Sequence, residues 1–380
     1  MKKYLILAAA AAMTLAACAK IETTAVNEDV FKAPIQFSNY TPKAISRADA
    51  ANYTDSTILV ADADFDVFGW STANGTSFTG SNGTNFMEWY TVTYKADGNT
   101  DGTKNAYPDG YRYWPSGDTP DYLSFYAYYP SNATGITAPA AGLGAFSFTA
   151  AATAAAQVDF MVADVVKDQT YDTSNGNPGT NSTVDGTVNL TFRHMLTRVQ
   201  FKFKTTPDVI KNGTVVKVTD VKLNNINTVG TLTSAYDGTA TSTTWSAQGT
   251  PASYEVFVNG ADINEFQLDS LAAPATNNDA DIFLMVPQAM VDKAGTKPQS
   301  VVVKWDVTTN GVTTHNTKTL YFKNDLKTTD NITGPAAAMD LDWAKNASIT
   351  YTLTIGPKPI LFTAEVVDWD AETYGYFNVQ

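Results

Sequence analysis

Few residues in this chain could do covalent chemistry, and the clearest of them is defined by its setting. Cys18 is the single cysteine in 380 residues. It follows Leu15-Ala16-Ala17, and the tetrad has the pattern of a lipobox, which the lipoprotein signal peptidase cuts before lipid is joined to the cysteine. Small residues at 16 and 17 suit a protease that needs narrow side chains beside the scissile bond. Upstream, Met1-Lys2-Lys3 is a basic start, and Tyr4 to Leu15 is an apolar run too short to span a bilayer comfortably but right for a signal-peptide core. An ordinary Ala-x-Ala signal peptide with a chance cysteine is the alternative. It leaves a secreted chain with one odd thiol, which acylation would account for. Each buried methylene contributes about 0.8 kcal/mol, so two or three acyl chains (palmitate is the expected kind) would make a stable anchor.

A second chemical feature is Arg47-Ala48, a lone basic residue in a small, polar stretch. It reads as a cutting point, and Arg47 is the only arginine between Cys18 and Arg112. Acid–base and metal chemistry have thinner support. There are two histidines, His194 and His315, both in strand-like segments. Neither sits in a pattern that suggests a nucleophilic triad or a zinc site. Asp97-Gly98-Asn99-Thr100-Asp101-Gly102 matches the first half of a calcium loop through Asp97, Asn99 and Asp101, with glycine in sixth place. Its twelfth place is Pro108 in place of the bidentate glutamate such loops need, so turn-forming Asp and Asn is the preferred account. Asp62, Asp64 and Asp66 alternate at strand spacing and are expected to face solvent. No cofactor is expected, and a hydrolase is the weakest of the functions considered.

The composition limits the partners. The formal net charge is −13 and becomes −15 once Lys2 and Lys3 leave with the signal peptide. Nucleic acid needs clustered Lys and Arg at its phosphates, so an acidic chain argues against it. After Cys18 no cysteine remains for disulfides, and no later stretch is apolar enough to span a membrane. The chain is therefore expected to be anchored and not spanning.

The elements that would position these residues are strands. Ala33 to Ser38 places Ile35 and Phe37 on one face of a short strand. Tyr122 to Pro130 is apolar on both faces, as a strand inside a sandwich should be. Val199, Phe201 and Phe203 alternate with polar residues. Between Val218 and Val221 the apolar phase switches, which predicts a bulge near Thr219-Asp220. Asn310-Gly311 is the strongest hairpin signal in the chain. Strands at this spacing, without long helical patterns, predict an all-β protein of sandwiches. Length suggests two domains, with the division in the Asn/Thr/Gly-rich loop before Thr187. The expected segments are 1–17 signal peptide, 18–47 tether and first strand, 48–186 one sandwich and 187–380 the other. Trp89, Tyr90, Tyr111, Tyr113, Trp114 and Tyr122 to Tyr129 could instead form an exposed platform for stacking sugars, although aromatics also fill sandwich cores.

Several stretches together resemble the fimbrillin family, the type V pilins of Bacteroidales. They are the lipobox, Phe65 to Trp70, Tyr113-Trp114-Pro115, Leu123 to Pro130, Asp159 to Ala163, Leu190-Thr191-Phe192-Arg193-His194 and Val366-Val367-Asp368-Trp369. The resemblance implies two tandem transthyretin-like Greek-key β-sandwich domains, export as an outer-membrane lipoprotein and assembly with other subunits into adhesive surface fimbriae. It also implies removal of the first strand by an arginine-specific protease, and here Arg47-Ala48 falls where that cut would fall. Ile35 and Phe37 would be displaced, and a neighbouring subunit's strand would take their place. The last residues, with Tyr374, Tyr376 and Val379, are the candidate donor. By the same resemblance His194 is a packed, hydrogen-bonded structural residue. A surface glycan-binding lipoprotein that never polymerises is the alternative, and a glycan or protein receptor on a host or bacterial surface is the further partner considered.

Overall fold

A computed structural model describes residues 34–40, 64–94, 106–108, 112–115, 119–171, 187–205, 214–249, 251–255, 282–326, 341–355 and 361–368. In these residues the chain forms β-strands and one short 3-10 turn. The first half contributes β1 (Gln36–Tyr40), β2 (Asp64–Thr72), β3 (Thr84–Tyr94), β4 (Ala106–Pro108), β5 (Tyr122–Tyr129), β6 (Ile136–Thr137), β7 (Gly144–Thr149), β8 (Met161–Ala163) and β9 (Val166–Gln169). Next come β10 (Thr187–His194), β11 (Thr197–Thr205), β12 (Val215–Ile226), β13 (Val229–Tyr236), β14 (Thr241–Gln248) and β15 (Ala252–Glu255). The last are β16 (Phe283–Met285), β17 (Ser300–Thr309), β18 (Val312–Tyr321), β19 (Ala347–Ile355) and β20 (Leu361–Asp368).

The largest sheet runs β2-β3-β4-β1-β10-β8-β5-β9, and β2 also pairs with β5. The circuit β2-β3-β4-β1-β10-β8-β5 therefore closes on itself as a ring. Its interior is an apolar core that includes Phe65, Val67, Leu123, Phe125, Ala127, Val188, Leu190 and Phe192. The second body is a sandwich of two four-stranded sheets, β16-β11-β19-β20 and β15-β12-β17-β18. Val199, Phe201 and Phe203 of one sheet share a core with Val216, Val218, Val301 and Val303 of the other.

A third sheet, β14-β13-β7-β6, links the two bodies, because β6 and β7 come from the first half of the chain and β13 and β14 from the second. Phe146 and Phe148 of β7 and Leu232 of β13 pack in one cluster with Phe68, Tyr126 and Tyr128 of the ring and Leu284 of β16. This explains why Tyr122–Tyr129 reads as apolar on both faces. Leu123, Phe125 and Ala127 face into the ring, and Tyr126 and Tyr128 face the linking sheet. Gly142 shows how close that packing is. Its φ is +83°, and a Cβ there would lie 2.5 Å from the Trp70 ring and 2.7 Å from the Phe68 ring.

The expected boundary after 186 meets this arrangement at β10, which pairs with β1 and β8 and so belongs to the ring. The chain passes from the ring to the second sandwich between His194 and Thr197. Local signals are borne out. The register of β12 against β17 shifts between Val218 and Asp220, as the phase switch predicts. Asn310 and Gly311 both have positive φ, 51° and 80°, and close the β17–β18 hairpin in the primed-turn geometry favoured by strand twist.

One expectation is corrected. Asp66 does not face solvent but is 5% exposed. Its carboxylate accepts hydrogen bonds from Tyr128 Oη at 2.7 Å, Thr91 Oγ1 at 2.8 Å and Ser131 Oγ at 2.7 Å. Both faces of β2 are covered, one by the ring core and one by the linking sheet, so alternation there does not separate inside from outside.

The buried tyrosines set the alkaline limit of the fold. Burial raises the hydroxyl pKa of Tyr126, Tyr128, Tyr254 and Tyr351, with Tyr254 pushed up to about 12. In the unfolded chain these groups ionise near pH ~10. Their contribution is complete below that pH and is lost as pH rises towards the folded value. Denaturant midpoints should hold to about pH 9 and fall steadily to about pH 12. Tyr254→Phe should make the fall shallower, and a flat profile would contradict this account.

Candidate functional site

The site is the place that β1 fills. Ile35 and Phe37 are both fully buried. The Phe37 ring meets Phe125 edge-on at 5.4 Å, and Trp114 meets the same Phe125 edge-on at 6.0 Å. On one side β1 runs parallel to β10, with Gln36 opposite Thr187 and Tyr40 opposite Thr191. On the other side it is antiparallel to β4 through Phe37 and Ala106. Pro34 bridges to Tyr113, and the Ile35 amide donates to the Arg112 carbonyl at 2.7 Å. Arg112 in turn lies over the Tyr90 ring, 4.1 Å from its centre.

The local sequence explains the placement. Ile35 and Phe37 are two residues apart, so one strand face presents both to the core. Pro34 has no N–H to donate and opens the segment at a position where strands tolerate proline. β1 is held by two flanking strands and two apolar side chains, and it closes the ring between β4 and β10. Its loss would leave backbone donors and acceptors of both neighbours without partners, beside the pockets vacated by Ile35 and Phe37. An edge of that kind is a template for an incoming strand.

The other predicted residues divide into two sets. Cys18, Arg47, Ala48, Asp97, Asn99, Asp101, Tyr374, Tyr376 and Val379 lie outside the described residues. Among the described ones, His194 is fully buried in the ring with its Nδ1 2.8 Å from Asp159 Oδ2. His315 sits on the exposed β18, 2.6 Å from Asp306 Oδ1 across the hairpin. No group of three or more His, Cys, Asp or Glu able to hold a metal occurs among the described residues, and no helix there is long and apolar enough to cross a membrane. The aromatics proposed as a sugar platform are largely interior. Trp114 is 3% exposed, Tyr126 fully buried and Tyr128 7% exposed, while Trp89 packs edge-on against Phe68 and Tyr128. Tyr111 lies outside the described residues, and among the described ones Tyr113, at 42%, is the exposed exception.

The family model of the fimbrillin-like proteins matches residues 35–369, most of the chain, beginning at the first buried residue of the β1 segment. The chain belongs to the fimbrillin-like family. Among solved structures, this fimbrillin-like chain is similar to a fimbrial protein from Bacteroides vulgatus, at 18% identity over 80% of this chain and 92% of that one, with a TM-score of 0.54. It is also similar to the tip fimbrial protein Mfa3 from Porphyromonas gingivalis, solved with a C-terminal truncation. There the identity is 12% over 81% of this chain and 95% of that one, and the TM-score is 0.39. No curated relative matches the chain at a significant level. Membership of the fimbrillin-like family supports a fimbrial or adhesion-related role at the cell surface.

Proposed function

We propose that this fimbrillin-like protein is a structural or accessory subunit of adhesive fimbriae, made ready for assembly when β1 is removed. The single observation that carries this reading is the seat of β1. It fills a strand-wide gap in a closed ring and buries Ile35 and Phe37 completely, while making its longest pairing parallel to β10. Cys18 would hold the precursor at the outer membrane by lipid after the lipoprotein signal peptidase has acted. A cut at Arg47-Ala48 would then free the strand, and the mature subunit would join others in the fimbrium. Tyr374 and Tyr376 have the same two-residue spacing as Ile35 and Phe37, which suits a donor strand filling the same pockets, with Val379 beyond them. The role is structural and not catalytic. We also propose that the ring and the second sandwich are the two tandem transthyretin-like units the family resemblance implies, divided near Met195-Leu196.

The test uses precursor protein running from Cys18 to Gln380. Treatment with an arginine-specific protease should give a ladder of SDS-resistant oligomers, and mass spectrometry should place the new N-terminus at Ala48. Arg47→Ala should stay monomeric. A ladder from Arg47→Ala, or cut protein that never leaves the monomer, would overturn strand exchange as the assembly route.

A further inference from the structure

The ring, the linking sheet and the second sandwich meet at a cleft of about 460 Å³ that β1 does not touch. That volume lies in the range of small-molecule sites. The cleft takes Asp164 and Arg193 from the β8 and β10 side of the ring, Thr243 from β14, and Lys345 and Asn346 from the turn into β19. Val366 of β20 supplies an exposed apolar wall. These residues lie far apart in the chain, and only the junction brings them together.

The charge balance is unusual for this molecule. In a chain whose formal charge is −13, the cleft collects two cations, Arg193 and Lys345, against one lining carboxylate, Asp164. Arg193 Nη2 and Nε both reach Asp164 Oδ2 at 2.9 Å, so the guanidinium is held in place while about half of its side chain stays exposed. Lys345 Nζ donates to the Thr243 carbonyl at 2.7 Å and to Thr243 Oγ1. An ammonium has three N–H donors, so one remains for a guest. Arg193 and Lys345 line the same cleft, and burial, then repulsion by the nearby Arg193, lower the Lys345 pKa while Asp164 acts the other way. An anion between them would relieve that repulsion.

We propose that this cleft binds an acidic sugar, a pyranose ring carrying a carboxylate. The carboxylate would sit between Arg193 and Lys345, in the charge-assisted geometry that both donors favour. Ring hydroxyls would be met by Asp164, Thr243 and Asn346, and of these the Asp164 carboxylate accepts from a hydroxyl but repels a bare anion. The apolar face of the ring would rest on Val366. The site is independent of strand exchange, so the full uncut chain is competent for it, and failure at either site leaves the other standing.

Calorimetric titration of the uncut chain with glucuronic acid and with N-acetylneuraminic acid tests this. At least one acidic sugar should bind saturably and raise the melting temperature, as any ligand of the folded state must. Glucose should not bind, and acetate at the same concentration should not displace the sugar. Arg193→Ala and Lys345→Met should each weaken binding at least about tenfold, the scale of one charge-assisted hydrogen bond. Arg193 is half exposed, so its variant should keep the wild-type circular dichroism and melting temperature even if Lys345→Met does not. Absence of saturable binding by both acids, equal competition by acetate, or an Arg193→Ala variant that binds as well as wild type would each overturn the proposal.

Discussion

A Phe37→Ala precursor is expected to lose about 3–5 kcal/mol of stability relative to wild type, the usual effect of removing a buried phenylalanine. Phe37 is fully buried, touches Phe125 edge-on and lies among Val188, Leu190 and Phe192 of the ring. Truncation removes the transfer free energy of the ring and leaves a cavity, and the neighbouring strands are paired on their far sides and have little freedom to close it. Urea unfolding of the uncut protein measures the change. A second readout separates a general core defect from a weakened strand. If Phe37 pins β1 into its slot, added peptide with the sequence of the C-terminal segment should enter the variant faster than wild type. A loss below about 1 kcal/mol would mean that the slot collapses around the alanine and that Phe37 does not hold β1 between β4 and β10.

Phe146→Ala is expected to have an effect of similar size and a different character. Phe146 sits on β7 in the linking sheet, fully buried, with its ring against Trp89, Tyr126, Tyr128 and Phe160. It is where the linking sheet grips the ring. Truncation should again cost about 3–5 kcal/mol. It should also loosen the coupling between the ring and the second sandwich, so that one calorimetric transition becomes two. A single transition shifted by less than about 1 kcal/mol would show that Leu232 and Leu284 hold the junction without it.

The contrast between these two residues shows what the sequence makes legible. Ile35 and Phe37 announce a strand because their spacing is local, and Val199, Phe201 and Phe203 do the same. The bulge between Val218 and Asp220 and the turn at Asn310-Gly311 are equally local. Nothing in the period of β7 says that it leaves the first half of the chain to pair with β13. Strand pairing between distant segments leaves no mark in either segment's pattern. Asp66 is buried for a related reason, since alternation predicts exposure only where one face of the strand is wet, and from Phe65 to Trp70 both faces of β2 are covered. The cleft was out of reach in the same way. Asp164, Arg193 and Lys345 look like ordinary surface charges until the junction gathers them. β1 was legible as a strand, whereas the closure of the ring around it required the pairing of β1 with both β4 and β10.

Under the strand exchange proposed above, that closure also bears on valence. A strand lost from the rim of an open sheet would bare one edge, and an edge can recruit strand after strand without limit. Loss of β1 from a ring would bare β4 and β10 facing each other, at a separation of about 10 Å, twice the spacing of paired strands. Such an opening admits one strand and is then sealed on both sides. Each subunit would accept a single neighbour, and growth would follow a line without branches or sheets.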